Sequence, residues 1–146
     1  MAITTNAIAN SFKKELLEAK HNFTQTTGSK FKLALYTSSA TLGASTTSYT
    51  TDNEVGASGQ YLAGGGALAV GSQQTSVASG VAIVDFADRS FTGVTLTARG
   101  ALIYNTSNSD SAVAVLDFGG DKTATSGTFT IQFPDFTTSA AILRIS

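Results

Sequence analysis

The chain has no cysteine and no tryptophan, one proline, one histidine and few charges. Without cysteine, neither a disulfide framework nor a thiolate metal site can form. Paired glycosidase carboxylates could be drawn from the aspartates, but without tryptophan and with few exposed aromatics there is no sugar cleft to place them in. The lone histidine, His21, lies among lysines, and no spacing sets it opposite a serine with an orienting carboxylate. Asp85, Asp88, Asp110, Asp117 and Asp121 fall in one half of the chain, yet no Asp-x-Asp-x-Asp loop groups them as calcium requires. They read as solvated turn carboxylates, and the expectation is a protein with no catalytic residues, no metal and no cofactor. No apolar run nears the ~20 residues that span a bilayer, and the N-terminus lacks the basic-then-apolar pattern of a signal peptide. The chain is therefore expected to be made in a cytosol and to have no membrane partner.

What fills the sequence instead is threonine, serine, alanine and glycine around a hydrophobic share of 42%, with charged residues at only 13% of 146. A charged share of about 25% is usual. So neutral and hydroxyl-rich a surface is poorly protected against association, although an ordinary monomeric β domain has the same composition. The net charge of −1 is unevenly spread: five lysines up to Lys32 face Glu15 and Glu18, a balance of +3, and the rest balances at −4. Five lysines make no nucleic-acid footprint, which needs a clustered basic face with stacking aromatics.

The chain is organised around Phe91 to Phe118. Val94, Leu96 and Ala98 alternate with Thr95, Thr97 and Arg99, the period of a strand with one buried face. Ala101 to Tyr104 continue it, Asn105 to Asp110 form a turn, and Ala112 to Phe118 return as the partner strand of an antiparallel hairpin. Before it, Ile8, Phe12, Leu16, Ala19 and Phe23 recur at spacings of three or four and predict an amphipathic helix of roughly 15 to 17 residues, capped near Asn6 and stopped before Gly28. Its apolar face packs either on the protein's own sheets or on a neighbouring subunit.

Lys30 to Thr37 is the first clear strand, and Thr37 to Asn53 a long surface loop. Gly64-Gly65-Gly66 has no following Gly-Lys-Ser/Thr and so is no phosphate loop; it bends the chain between Tyr61-Leu62 and Ala67-Val70. Gly71 to Ser79 reads as a loop, Val81 to Ala87 as a strand, Gly119 to Gly127 as a connection, and Thr128 to Phe133 and Ala140 to Ile145 as strands. Seven or eight strands and one leading helix predict a mainly β fold, an antiparallel β-sandwich or jelly-roll-like domain over 29–146 behind an N-terminal arm and amphipathic helix over 1–28.

From Lys30 onward the chain also resembles small virion structural proteins of tailed bacteriophages. The resemblance rests on Phe31-Lys-Leu-Ala-Leu-Tyr36, Asn53-Glu-Val, Gly59-Gln-Tyr61, Gly64-Gly-Gly66, Ala101-Leu-Ile-Tyr-Asn105, Leu116-Asp-Phe-Gly119 and Gly127-Thr-Phe-Thr-Ile-Gln-Phe133. It implies a non-enzymatic virion component made in the host cytoplasm. A capsid decoration or cement protein is foremost, bound to the major capsid protein or another virion protein as a dimer or trimer. A tail, neck or head-fibre component, or a receptor- or glycan-binding module using the loops at Thr37 to Asn53 and Asn105 to Asp110, is the alternative. The N-terminal helix lies outside the resemblance, and its Ile8, Phe12, Leu16 and Phe23 with Lys13 and Lys14 form the expected partner interface, apolar groups burying area and lysines meeting shell carboxylates.

Overall fold

A computed structural model of the chain describes residues 3–68 and 75–146. It is mainly β, with two antiparallel sheets and one short N-terminal helix. Chain order is β1 (Ala7–Ile8), α1 (Asn10–Leu17), β2 (Phe31–Tyr36), β3 (Gly66–Ala67), β4 (Thr75–Ala78), β5 (Val81–Val84), β6 (Arg89–Asn105), β7 (Ser111–Ile131) and β8 (Leu143–Ile145). The larger sheet runs β1-β7-β6-β2-β3 and the smaller β4-β5-β8.

The hairpin forms where the alternation and the polar turn place it, with Asn105 opposite Ser111. It extends far beyond the expected partner strand. Gly119 to Gly127, whose composition reads as a connection, lies inside the 21-residue β7, and its Lys122, Thr123, Ala124 and Gly127 pair with the first half of β6. The ladder accommodates this with a large bulge: Ala98 pairs Lys122 and Gly100 pairs Asp117, so Arg99 alone faces the four residues Phe118 to Asp121. Gly119 supplies the positive φ of 77° that such a detour requires. Thr75 to Ala78, expected as loop, are strand β4, and Gly71 to Gln74 with Ala69 and Val70 lie outside the described residues.

The helix is half the expected length, at eight residues. Three local events override the apolar period. Ala7 and Ile8 are taken by β7, opposite Val115 and Ala114. Asn6 does not cap the helix, because its Oδ1 accepts the backbone N–H of Asp117 at 2.6 Å. Ala19 turns left-handed at φ 58° and ends the helix, after which Asn22 to Ser29 fold into a tight turn closed by Ser29 N–H to the Asn22 carbonyl at 2.7 Å.

Phe23 therefore keeps helical spacing without being helical. Its ring stacks on Phe31 of β2, centroids 4.7 Å apart, and lies edge-on to Phe12. Phe31 touches Phe86, in the link from β5 to β6, and Phe86 touches Phe133, just past β7. This aromatic chain joins the N-terminal segment to the large sheet and runs on toward the small one. Each such ring contributes roughly 1.5–3 kcal/mol by leaving water.

Candidate functional site

Two polar clusters hold Glu54 and His21 among the tyrosines and at the hairpin turn. The first centres on Glu54. Its Oε1 accepts the Tyr61 hydroxyl at 2.8 Å and the Gly64 N–H at 2.7 Å, and its Oε2 accepts the Tyr49 hydroxyl at 2.6 Å. Tyr61, itself fully buried, also accepts the Leu35 N–H of β2 at 2.8 Å. Tyr104 stacks on Tyr49, centroids 4.8 Å apart, and donates to the Gly64 carbonyl at 2.6 Å. Tyr36 donates to the Thr50 carbonyl at 2.6 Å.

All four tyrosines of the protein thus meet where the long loop after β2 closes over the sheet. Gly65, at φ 77°, permits the closure, since a Cβ there would lie 1.8 Å from the Leu33 carbonyl oxygen. Burial penalises the phenolates, so Tyr104 is pushed up to about 12 and Tyr36, Tyr49 and Tyr61 higher still. Three donors of its own chain occupy most of the carboxylate's acceptor capacity, and this cluster is a fastening.

The second cluster holds His21, whose side chain is wholly buried. Asn105 Oδ1 accepts the Ser107 N–H at 2.9 Å, which turns its Nδ2 toward His21 Nδ1 at 3.0 Å. Nδ1 is then the acceptor, and Nε2–H donates to Glu15 Oε2 at 2.7 Å. Imidazole, amide and carboxylate tie α1 to the mouth of the hairpin turn. Both ring nitrogens are used within the chain, so His21 has none left for a nucleophile.

Elsewhere the aspartates do local work. Asp88 Oδ1 accepts the Phe133 N–H at 2.8 Å, and Asp117 pairs with Arg99. Burial holds the Asp85 carboxyl above the usual carboxylate range, against the Phe86 N–H that it accepts. Among the described residues no group of three His, Cys, Asp or Glu side chains could hold a metal ion.

The six residues expected to form a partner interface are not brought together on an outward face. Phe12 and Phe23 are buried in this chain's own core, so the helix packs on its own sheet. Ile8 and Leu16 are half-buried against that core. Lys13 and Lys14 are exposed; Lys13 Nζ donates to Asn10 Oδ1, and Lys14 is paired with Glu18. Lys14 and then Lys20 hold the Glu18 carboxyl below its ordinary range.

A larger outward feature with a shape to receive something lies elsewhere, along β7. An open groove of about 780 Å³ runs between β1, β7 and the segment leading into β8. Its apolar lining includes Ile8, Leu116, Phe118, Phe129, Ile131 and Ile142. Runs of consecutive β7 residues, Ala114 to Phe118, Lys122 to Ala124 and Thr128 to Ile131, line it. Successive side chains of a strand point to opposite faces, so consecutive lining residues mean that the groove follows the strand's edge. That edge is open: β1 covers it only at Ala114 and Val115, and among the described residues no backbone hydrogen bond joins Phe118 to Ile131 to any strand but β6.

The sequence marks both ends of this edge as strand, Ala112 to Phe118 and Thr128 to Ile131, but not its middle, because Gly119 to Gly127 reads as a connection. No family model, curated protein or solved structure matches the chain.

Proposed function

We propose that the protein is a non-enzymatic structural component of a tailed-phage particle, a capsid decoration or cement protein that binds the head shell. One observation supports it from the molecule itself: the Glu54 and His21 clusters are engaged within the chain, while an apolar groove beside an open strand edge faces outward on a charge-poor surface. Such a surface suits association better than turnover. The identity of the particle comes from the resemblance over Lys30 to the C-terminus. We assign the contact face to the groove rather than to the N-terminal helix, because Phe12 and Phe23 are occupied in the core.

Cryo-electron microscopy of the assembled particle tests this. Many copies at symmetry-related positions over the head, with the β7 groove against the shell, are expected. A few copies confined to tail or neck would overturn the cement role, and absence from the particle would overturn the structural role altogether.

A further inference from the structure

Three features converge on β7. The first is a row of backbone donors and acceptors from Phe118 onward that, among the described residues, no outer strand uses. Another extended chain is what satisfies such a row. The second is the groove along that edge, whose 780 Å³ falls within the range of sites that bury most of a small ligand. Its Leu116, Phe118, Phe129 and Ile131 form an apolar wall for alternate side chains of an added strand.

The third is charge. The groove is lined by Lys122, Arg144 and one carboxylate, Asp117, which Arg99 already neutralises. Among the described residues neither cation has an acidic partner; Arg144 donates only to the Ser139 carbonyl, at 2.7 Å. The site is apolar with an uncompensated positive balance.

We propose that this edge is a strand-addition site for an extended segment of a partner protein, apolar at alternate positions and carrying carboxylates that meet Lys122 and Arg144. Main-chain bonds to β7 hold the segment, the apolar wall selects its alternate residues, and the two cations select acidic over basic sequences. A second copy of this chain fits less well. Antiparallel self-pairing centred at Asp121 or Lys122 sets like charges opposite each other, and apposed like charges destabilise a sheet. The occupant's chemistry follows from the groove alone, whether the partner belongs to a phage shell or to another surface. A lysine on an edge can also act as a guard against pairing, and the experiment separates the two roles.

Three synthetic peptides of about eight residues, with blocked termini and alternating valine and threonine, serve as probes for the intact chain. One carries two glutamates, one two lysines in their place, and one has the glutamates with a central proline. Saturable binding of the glutamate peptide is expected, with amide hydrogen exchange slowed along Lys122 to Ile131. The lysine peptide should bind about tenfold more weakly, and the proline peptide should lose binding because it cannot complete the ladder. Lys122→Glu, an exposed change that leaves the circular dichroism unaltered, should shrink or invert the preference for glutamate.

The proposal is overturned if none of the peptides binds, which would leave Lys122 as a guard. It is equally overturned if glutamate and lysine peptides bind alike, if proline is tolerated, or if slowed exchange falls away from β7. Slowed exchange of the edge that grows with protein concentration and needs no peptide would assign the edge to a second copy instead.

Discussion

The two halves of the central hairpin share one ladder and almost nothing else. Near the turn, Gly100 to Asn105 and Ser111 to Val115 are buried at nearly every position, which requires cover on both faces. β2 flanks one side, and β1 with the loop at Thr47 to Tyr49 flanks the other. Beyond the bulge at Arg99, burial alternates on β6 and β7 is largely exposed, with threonine pairs such as Thr97 and Thr123 sharing hydroxyl bonds at 2.8 Å. The near half behaves as a central strand pair and the far half as an outer one. A strand's character is therefore set by what flanks it, and it can change within a single element.

Substitutions that treat the halves alike would break this distinction. The largest effect is expected at Leu102→Ala, which empties a fully buried site of the near half. The loss should be about 2–5 kcal/mol, a large share of a domain's usual ~5–15 kcal/mol, read from the denaturation midpoint. Thr97→Ala, at an exposed position of the far half, would have to cost as much for the contrast to fail.

An intermediate effect belongs to the fastening that holds the loop over the near half. Tyr61→Phe leaves the Leu35 N–H without its acceptor and removes one of the two donors on Glu54 Oε1, the Gly64 N–H remaining, a cost of about 1–3 kcal/mol. The same cluster predicts an alkaline weakness. Unfolded phenols release protons near pH 10, whereas Tyr104 in the folded chain holds its proton to about 12 and the other three longer. The native state then binds more protons than the unfolded one, so stability is complete below about pH 10 and falls above it. Urea midpoints measured across that interval should decline with pH; a flat profile would mean that the tyrosines are solvated.

The smallest effect is expected at Thr97→Ala itself, within about 0.5 kcal/mol, because its hydroxyl partner is open to water. Hydrogen exchange should nevertheless distinguish the halves, with amides of Thr123 to Thr130 exchanging faster than those of Ala112 to Val115.

Much of the fold is legible in the sequence because it depends on neighbours. The alternation at Val94 to Ala98, the turn at Asn105 to Asp110 and the strand at Phe31 to Tyr36 all follow local rules and appear where those rules place them. The failures share a cause: a distant partner outbids a local preference. Gly119 to Gly127 has the composition of a turn, yet the first half of β6 presents a strand edge that it satisfies. Ile8 has helical spacing but pairs with Ala114, and Asn6 is drawn from the helix cap to Asp117.

The polar clusters are further from reach still. Tyr36, Tyr49, Tyr61 and Tyr104 show no common period, and only the closed loop reveals that one carboxylate unites three of their segments. His21 reads as a lysine-flanked surface residue and is instead fully enclosed, because the chain turns inward at Ala19.

The gathering of every tyrosine about Glu54, in a chain without tryptophan, also fixes what the protein's own light can report. Excited at wavelengths that phenylalanine does not absorb, its emission arises at one junction, from rings two of which pass their hydroxyl hydrogens to a carboxylate and are dimmed by it. Opening the loop over β2 should brighten that emission while the far end of the hairpin stays dark, so the molecule carries a built-in lamp for a single door.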